Sequence, residues 1–267
     1  MKSYVHGYTE REAERLENQS NTLDELLHHD SIWEQGNVIL EAGCGTGAQT
    51  KIITSKNPLC KFVSFDISDD SVNKAKAAAS SLGITNVTFR KADIFMLPFD
   101  DESFDHVFVC FVLEHLHNYR AAIAELKRVL KSNGSITIIE GDHGSAYFSP
   151  ESTKANLAIQ CQVELQRRSG GDANIGRKLY PVLKEAGFER ISNSPRMVYA
   201  DESNPNLVEG FTRNTFTAMI EGVKEEAIAE NLTGEAAFDE GIRDLYKTAE
   251  NNGVFCYTFF KATGIKK

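Results

Sequence analysis

From Val38 onward, short apolar runs alternate with amphipathic stretches, and this alternation restricts the chain more than any other feature. "NVILEA", "KFVSFDIS", "NVTFRKAD", "FDHVFVCFVL" and "SITIIEG" read as strands. After the first, "TGAQTKIITSKNP" should be helical and stop before Pro58. Ser68 or Asp69 can cap a second helix, with Val72, Ala75, Ala79 and Leu82 on one face and Gly83 closing it. A third, "NYRAAIAELKRVLKSNG", is expected to end at Gly134. Strands alternating with helices imply a parallel sheet covered on both faces. Further on, "RKLYPVLKEAGF" reads as a helix with Pro181 in its first turn and Gly187 as terminator. "ERISNSPRMVYA" adds a sixth strand and "GVFCYTFFKATGIK" a last one. The expected architecture is α/β: a doubly wound, mostly parallel sheet of seven strands.

Two regions lie outside this alternation. Near the start, Thr9 and Glu12 form a capping box, and Ala13, Leu16, Ser20, Leu23 and Leu27 recur at helical spacing behind it. Between residues 205 and 252 two helical patterns interrupt the core. Phe216, Met219, Ile220, Val223 and Ala227 share one face; Phe238, Ile242, Leu245, Tyr246 and Ala249 share another. Apolar stripes of this kind must cover something. The expected division is an N-terminal helical segment (1–35), a core (36–204), a helical insertion (205–252) and a final core strand (253–267). The helical additions are read as a cap over the carboxyl ends of the strands, with Phe211, Phe216, Met219 and Tyr246 as lining candidates. Plain packing, or a homodimer interface, would use the same stripes.

A chain of 267 residues with 41% hydrophobic and 25% charged residues can bury a substantial core as one large domain. The net charge of −9, with basic residues spread out, argues against a nucleic-acid surface. No run approaches the roughly 18 apolar residues of a membrane span, and "MKSYVHGYTEREAERLE" contains no apolar stretch of signal-peptide type. Cys44, Cys60, Cys110, Cys161 and Cys256 are scattered and never form C-x-x-C, so they are expected to be reduced and buried, without a metal. The expected location is cytoplasmic.

Where the first strand ends, Gly43-Cys44-Gly45-Thr46-Gly47-Ala48 reads both as G-x-G-x-G and as the G-x-G-x-x-A of a dinucleotide site. In a doubly wound sheet the ligand lies beyond the carboxyl ends of the strands, so either reading makes this turn a site. The acids choose between them. Asp66 ends the second strand, 19 residues after Gly47, where a carboxylate can accept from both ribose hydroxyls of an adenosine. Asp93 ends the third strand, where it can accept from an adenine amino group. Glu41, two residues before Gly43, would repel a pyrophosphate and suits a ligand carrying sulfonium and ammonium groups.

Glu41-x-Gly43-x-Gly45-x-Gly47, Asp66, Ala92-Asp93, "LPFDDESFDHVFVCFVLEHL" (97–116) and "RVLKSNGSITIIEGD" (128–142) resemble class I S-adenosylmethionine-dependent methyltransferases, nearest to the type 11, ubiquinone- and menaquinone-biosynthesis-like branch. The resemblance covers residues 36–145 well. It implies a Rossmann-like methyltransferase fold with S-adenosyl-L-methionine as cofactor. Gly43, Gly45 and Gly47 would pack against the methionine part and the sugar, Asp66 would hold the ribose and Ile67 would lie beside the adenine. Asp93 and the backbone of Ile94 would read the adenine edge, and Phe111 would offer its carbonyl to the amino group. "LKSNG" departs from the family, which usually has a proline in that turn; Asn133-Gly134 is itself a good turn.

Competing uses are plain for several residues. Asp66 and Asp93 could be strand-end caps, and Glu41 could pair with a lysine. Glu114-His115-Leu116-His117 looks like a metal cluster but has no further ligands at a characteristic spacing. Asp142 and His143 follow the fifth strand and, with His115, are substrate-side candidates; a structural role is the default for each. Arg15 and Gln19 lie one helical turn apart; they could reach the cofactor carboxylate if the helix folds over the pocket, with a solvated face as the default. The reading is a methyltransferase acting on a small molecule by in-line displacement, in which no catalytic residue need stand out. No [D/N/S]-P-P-[F/Y/W] segment follows the fourth strand, which disfavours methylation of base amino groups. A nicotinamide-dependent oxidoreductase and a non-catalytic S-adenosylmethionine-binding protein are the alternatives.

Overall fold

The computed structural model describes residues 10–267, with side chains from Arg15 onward. The Thr9–Glu12 capping box lies outside the described residues. Helix α1 (Glu10–His28) follows the apolar spacing, with Ser20, Leu23 and Leu27 buried. Arg15 and Gln19 correct the expectation of a solvated face. Both are buried, and Arg15 Nη1 donates to Gln19 Oε1 at 3.1 Å, one helical turn away.

Strand β1 (Val38–Ala42) leads through the glycines into α2 (Thr50–Lys56). Strand β2 (Lys61–Asp66) is followed by α3 (Asp69–Ser81), whose N-cap Ser68 accepts from Ser71 N. Ala75 and Ala79 face inward as the spacing predicts, but Leu82 does not. It is the helix C-cap, already off the α-helical path, and is 60% exposed. Then come β3 (Val87–Lys91), β4 (Phe104–Cys110) and α4 (Tyr119–Val129), capped by Asn118 Oδ1 accepting from Ala121 N.

Helix α4 stops five residues before Gly134. Leu130 turns extended, at ψ 134, and pairs with Phe104 of β4, so ladder bonding to an existing strand prevails over one more helical turn. Strand β5 therefore runs from Leu130 to Ser149, with Asn133 at φ +63 and a register shift against β4. Gly134 is required there. A Cβ would lie 2.9 Å from Asp105 O and 2.8 Å from Lys131 O.

The strand order is β3-β2-β1-β4-β5-β7-β6, with β6 at Phe188–Ala200 and β7 at Val254–Lys266. The ladders β3–β2, β2–β1, β1–β4 and β4–β5 are all parallel. The sequence alternates outward from β1 and then from β4, which makes the β1/β4 boundary the topological switch point.

Two compact units divide the chain. One comprises Asp24–Glu140, Ile175–Pro195 and Phe260–Lys267. Its core joins Leu40 and Ala42 of β1, Val107 and Val109 of β4, Ile136 and Ile138 of β5, and Ile123 and Leu126 of α4. It also contains α6 (Leu179–Glu185), ended by Gly187 at φ +73 as expected.

The other unit holds the described residues up to Leu23 with Gly141–Asn174 and Arg196–Phe259. Its α5 (Thr153–Arg168) is a helix that sequence periodicity did not single out; Ser152 caps it by accepting from Ala155 N. The first of the two patterns expected in 205–252 is broken. Helix α7 (Pro205–Leu207) leads into a π-helix (Val208–Thr217), then α8 (Ala218–Glu221) and α9 (Lys224–Ala229). The second is one helix, α10 (Glu235–Lys247). In the π-helix, residues five apart share a face, so Phe211 and Phe216 are both buried and Thr215 Oγ1 donates back to Gly210 O at 2.7 Å. Phe211 and Phe216 pack with Phe255, Tyr257 and Phe259 as an aromatic core of this unit rather than as the lining of an opening.

Candidate functional site

The carboxyl end of β1 opens into three left-handed glycines: Gly43 at φ +69, Gly45 at +53 and Gly47 at +90. Left-handed backbone is where glycine has least to lose, and each glycine here has a second reason. A Cβ on Gly43 would come 2.5 Å from Val112 Cγ2, and one on Gly47 would come 3.2 Å from the Ala75 backbone. A Cβ on Gly45 would meet no protein atom within 4 Å. Gly43 and Gly47 thus keep the turn close to its own structure, whereas Gly45 faces open space. That open position is a cradle that a side chain would fill.

Asp66 spans the turn. Its Oδ2 accepts from Gly45 N at 3.0 Å, and its Oδ1 accepts from Ser68 N at 2.9 Å. The capping use weighed for it is therefore real, and the same carboxylate also lies against the open glycine. Ile67 beside it is 41% exposed, a large apolar side chain turned toward solvent. Asp93 Oδ1 accepts from Phe95 N at 3.0 Å, with Ile94 buried next to it.

Glu41 pairs with hydroxyls rather than with a lysine. It is buried and accepts from Thr50 Oγ1 at 2.7 Å and from Ser64 Oγ at 2.5 Å. Burial pushes its pKa up to about 7, against the pull of those two hydrogen bonds. Near neutral pH this acid can thus be protonated or charged, according to what stands beside it. Burial also raises the thiol pKa of Cys44 and Cys110, with Glu41 adding to both shifts, so neither sulfur is a nucleophile at neutral pH.

At the end of β4, Phe111 takes φ +58, a left-handed conformation that is costly for a non-glycine residue, while its N–H donates to Ile139 O at 2.9 Å. The next two amides are held by a residue that sequence reasoning did not single out. Glu140 Oε1 accepts from Val112 N at 3.0 Å and from Leu113 N at 2.7 Å. Burial, and then the negative charge of Glu114, raise its pKa well above the usual carboxylate range. The signal was present: an acid in the apolar run "SITIIEG" is a buried polar group that needs partners.

His115 lies 3.6 Å from Glu114, and among the described residues no group of three or more His, Cys, Asp or Glu could hold a metal ion. Asp142 and His143 do not follow the fifth strand; they lie inside it and are buried, because β5 continues to Ser149. His143 Nδ1 faces Ala173 O at 3.2 Å and the Tyr257 hydroxyl at 3.1 Å. A carbonyl only accepts, so the Ala173 contact assigns the proton to Nδ1. Tyr257 also explains Gly141, since a Cβ there would collide with its hydroxyl.

The donor set fits S-adenosylmethionine. It has an open glycine to admit the ligand's backbone, a carboxylate beside that glycine for hydroxyls, and a titratable acid behind it for positive charge. The chain belongs to the methyltransferase-domain family, whose model matches residues 34–187. It is 33% identical over 179 residues to an uncharacterised methyltransferase of Schizosaccharomyces pombe, covering 64% of each chain. It is 27% identical over 150 residues to demethylmenaquinone methyltransferase of Staphylococcus aureus, covering 52% of this chain and 61% of that one. The chain therefore spans a little under two thirds of the length of these relatives. Among solved structures, the YcgJ protein of Bacillus subtilis superposes with a TM-score of 0.57 at 18% identity, over 93% of this chain and 97% of that one, which supports the fold. No described helix is long and apolar enough to cross a membrane.

Proposed function

We propose that this chain binds S-adenosylmethionine in the Gly43–Gly47 cradle and transfers its methyl group to a small-molecule acceptor. The observation that carries the reading is the pairing of an open Gly45 with the Asp66 carboxylate at 3.0 Å. The cofactor supplies an activated methyl group on a sulfonium, already a good leaving group. The protein's part is to bind, orient and exclude water. Asp66 would accept the ribose hydroxyls, Asp93 and Ile94 would meet the adenine edge, and Ile67 would cover its face. Glu41 would balance positive charge, directly or through water, and Phe111 would turn its carbonyl toward the ammonium. A relative named demethylmenaquinone methyltransferase supports a small organic acceptor. The family match is to methyltransferases, so the oxidoreductase alternative lapses.

The five free, buried cysteines support a cytoplasmic location. Calorimetric titration with S-adenosylhomocysteine tests the cofactor reading. Asp66→Ala should weaken binding by roughly 2 to 4 kcal/mol, because two charge-assisted hydrogen bonds lose their acceptor. Unchanged affinity would refute the assignment.

A further inference from the structure

The glycine turn is tied to a part of the chain that no motif touches. Gln49 is the N-cap of α2 and makes no side-chain capping bond to it, while its carbonyl accepts from Ile52 N at 3.0 Å and Ile53 N at 3.1 Å. Its side chain is instead bonded elsewhere: Gln49 Oε1 faces His28 Nε2 at 2.8 Å. His28 is the last residue of α1 and is 1% exposed. Its other ring nitrogen, Nδ1, faces Ser31 Oγ at 3.3 Å. Ser31 Oγ in turn is 2.8 Å from Nζ of Lys261, a buried lysine on β7 that also donates to Asp30 Oδ1 at 2.6 Å and Leu27 O at 3.1 Å.

The direction of this chain is fixed by chemistry. The Gln49 amide presents its oxygen, which only accepts, so His28 Nε2 carries the ring proton and donates to it. In the neutral imidazole Nδ1 then holds a lone pair and accepts the Ser31 hydroxyl hydrogen, while Ser31 Oγ accepts from the Lys261 ammonium, which only donates. Every link has one consistent role, and each reinforces the next. Burial and the positive charge of Lys261 both keep the imidazole neutral, as this arrangement needs.

The consequence falls on the exit of the turn. Thr50, next to Gln49, is one of the two residues that bond Glu41. Gly47, two residues earlier, accepts from Lys51 N at 3.2 Å. The exit is thus held locally through Thr50 and remotely through Gln49.

We propose that His28, oriented through Ser31 by Lys261, is a positioning residue that holds the exit of the glycine turn by its bond to Gln49 and so sets the affinity of the cradle for its cofactor. It touches no ligand itself. The proposal builds on the cofactor reading of the cradle, but its geometry exists without ligand and can be measured without it.

The test uses the full chain with two readouts: hydrogen exchange at the amides from Gly45 to Thr50 in the ligand-free protein, and calorimetric titration with S-adenosylhomocysteine. His28→Leu should speed exchange at those amides and weaken binding by about five- to tenfold, the value of one net hydrogen bond near a ligand site. His28→Gln offers an amide N–H in place of Nε2–H and should restore affinity to within about twofold of wild type. Gln49→Ala should give the loss of His28→Leu, and the double variant should be no weaker than either single one, because both remove the same bond. The idea is overturned if His28→Leu leaves exchange and affinity unchanged, if the glutamine variant is as weak as the leucine one, or if the two losses add. Should His28→Leu not fold, Gln49→Ala and Ser31→Ala carry the same comparison from half-buried and small side chains. Wild-type protein that ignores S-adenosylhomocysteine would end the cofactor reading alone, and exchange rates in the variants would still decide this one.

Discussion

Val112 stands where a side chain on Gly43 would have to go, its Cγ2 only 2.5 Å from that Cβ position. The loop after β4 and the turn after β1 are therefore in direct contact at the switch point of the sheet, and Glu140 holds Val112 there by its backbone N–H.

This contact separates two glycines that look equivalent in sequence. Gly43→Ala should destabilise the fold by about 1 to 3 kcal/mol, from left-handed strain and the clash with Val112. Val112→Ala should recover part of that loss. Gly45→Val, with no protein atom within 4 Å of its Cβ, should lose only about 1 kcal/mol of stability from backbone strain but abolish S-adenosylhomocysteine binding. Urea unfolding beside calorimetry reads both. Equal stability losses at the two positions would show that the cradle is not open at Gly45.

Glu140 should be tolerant of one change and not of another. Glu140→Gln retains a carbonyl oxygen for Val112 N and Leu113 N and should leave stability near wild type at pH 7. Glu140→Leu leaves two buried N–H groups without an acceptor, at a cost of roughly 2 to 4 kcal/mol. The raised pKa gives a sign as well. Its contribution is fully present below the ordinary glutamate range and is lost as pH rises through the folded value, so wild type should lose stability as pH rises above that ordinary range and Glu140→Gln should lose less. Parallel pH curves for the two proteins would count against a raised Glu140 pKa.

Glu41, with its pKa raised to about 7, makes cofactor binding a proton-linked event. A ligand bringing positive charge favours the ionised carboxylate, so binding near pH 7 should release up to one proton. Titrations in buffers of different ionisation enthalpy measure this directly. Glu41→Gln should abolish the release and weaken binding. A buffer-independent enthalpy for wild type would place Glu41 away from the charge.

Two buried histidines set the acid limit of the fold. Burial is the main cause that lowers His28 to about 4 and His106 to about 3, and Lys261 lowers both further. Asp24 raises His28, and Lys56 adds to the lowering. Lowered bases are neutral in the folded chain, while the unfolded chain takes up protons from about pH 6.5 downward. Each should therefore remove about 1.4 kcal/mol of stability per pH unit, from pH 6.5 to its folded pKa. His28→Gln should flatten the curve between pH 6.5 and 4. Stability that stays level across that interval would show the rings to be solvated.

What the sequence determined by itself is what short-range chemistry dictates. Alternating apolar runs yield the strands, Ser68 and Asn118 cap the helices behind them, and left-handed glycines mark the turn at the end of β1. Asp66 ends β2 as expected, whereas β3 stops at Lys91 and Asp93 lies two residues beyond it, in an isolated bridge to Met96. Other features depended on partners far along the chain. Helix α4 yields to strand at Leu130 only because Phe104 is there to pair with it. Glu140, Ser64, Thr50, His28 and Lys261 acquire roles only when the fold brings their partners within hydrogen-bond distance, and burial then sets their charge. Local pattern fixes which elements form and where backbone must turn; tertiary structure decides which polar groups are taken from water, and the need to satisfy those groups is what shapes the site.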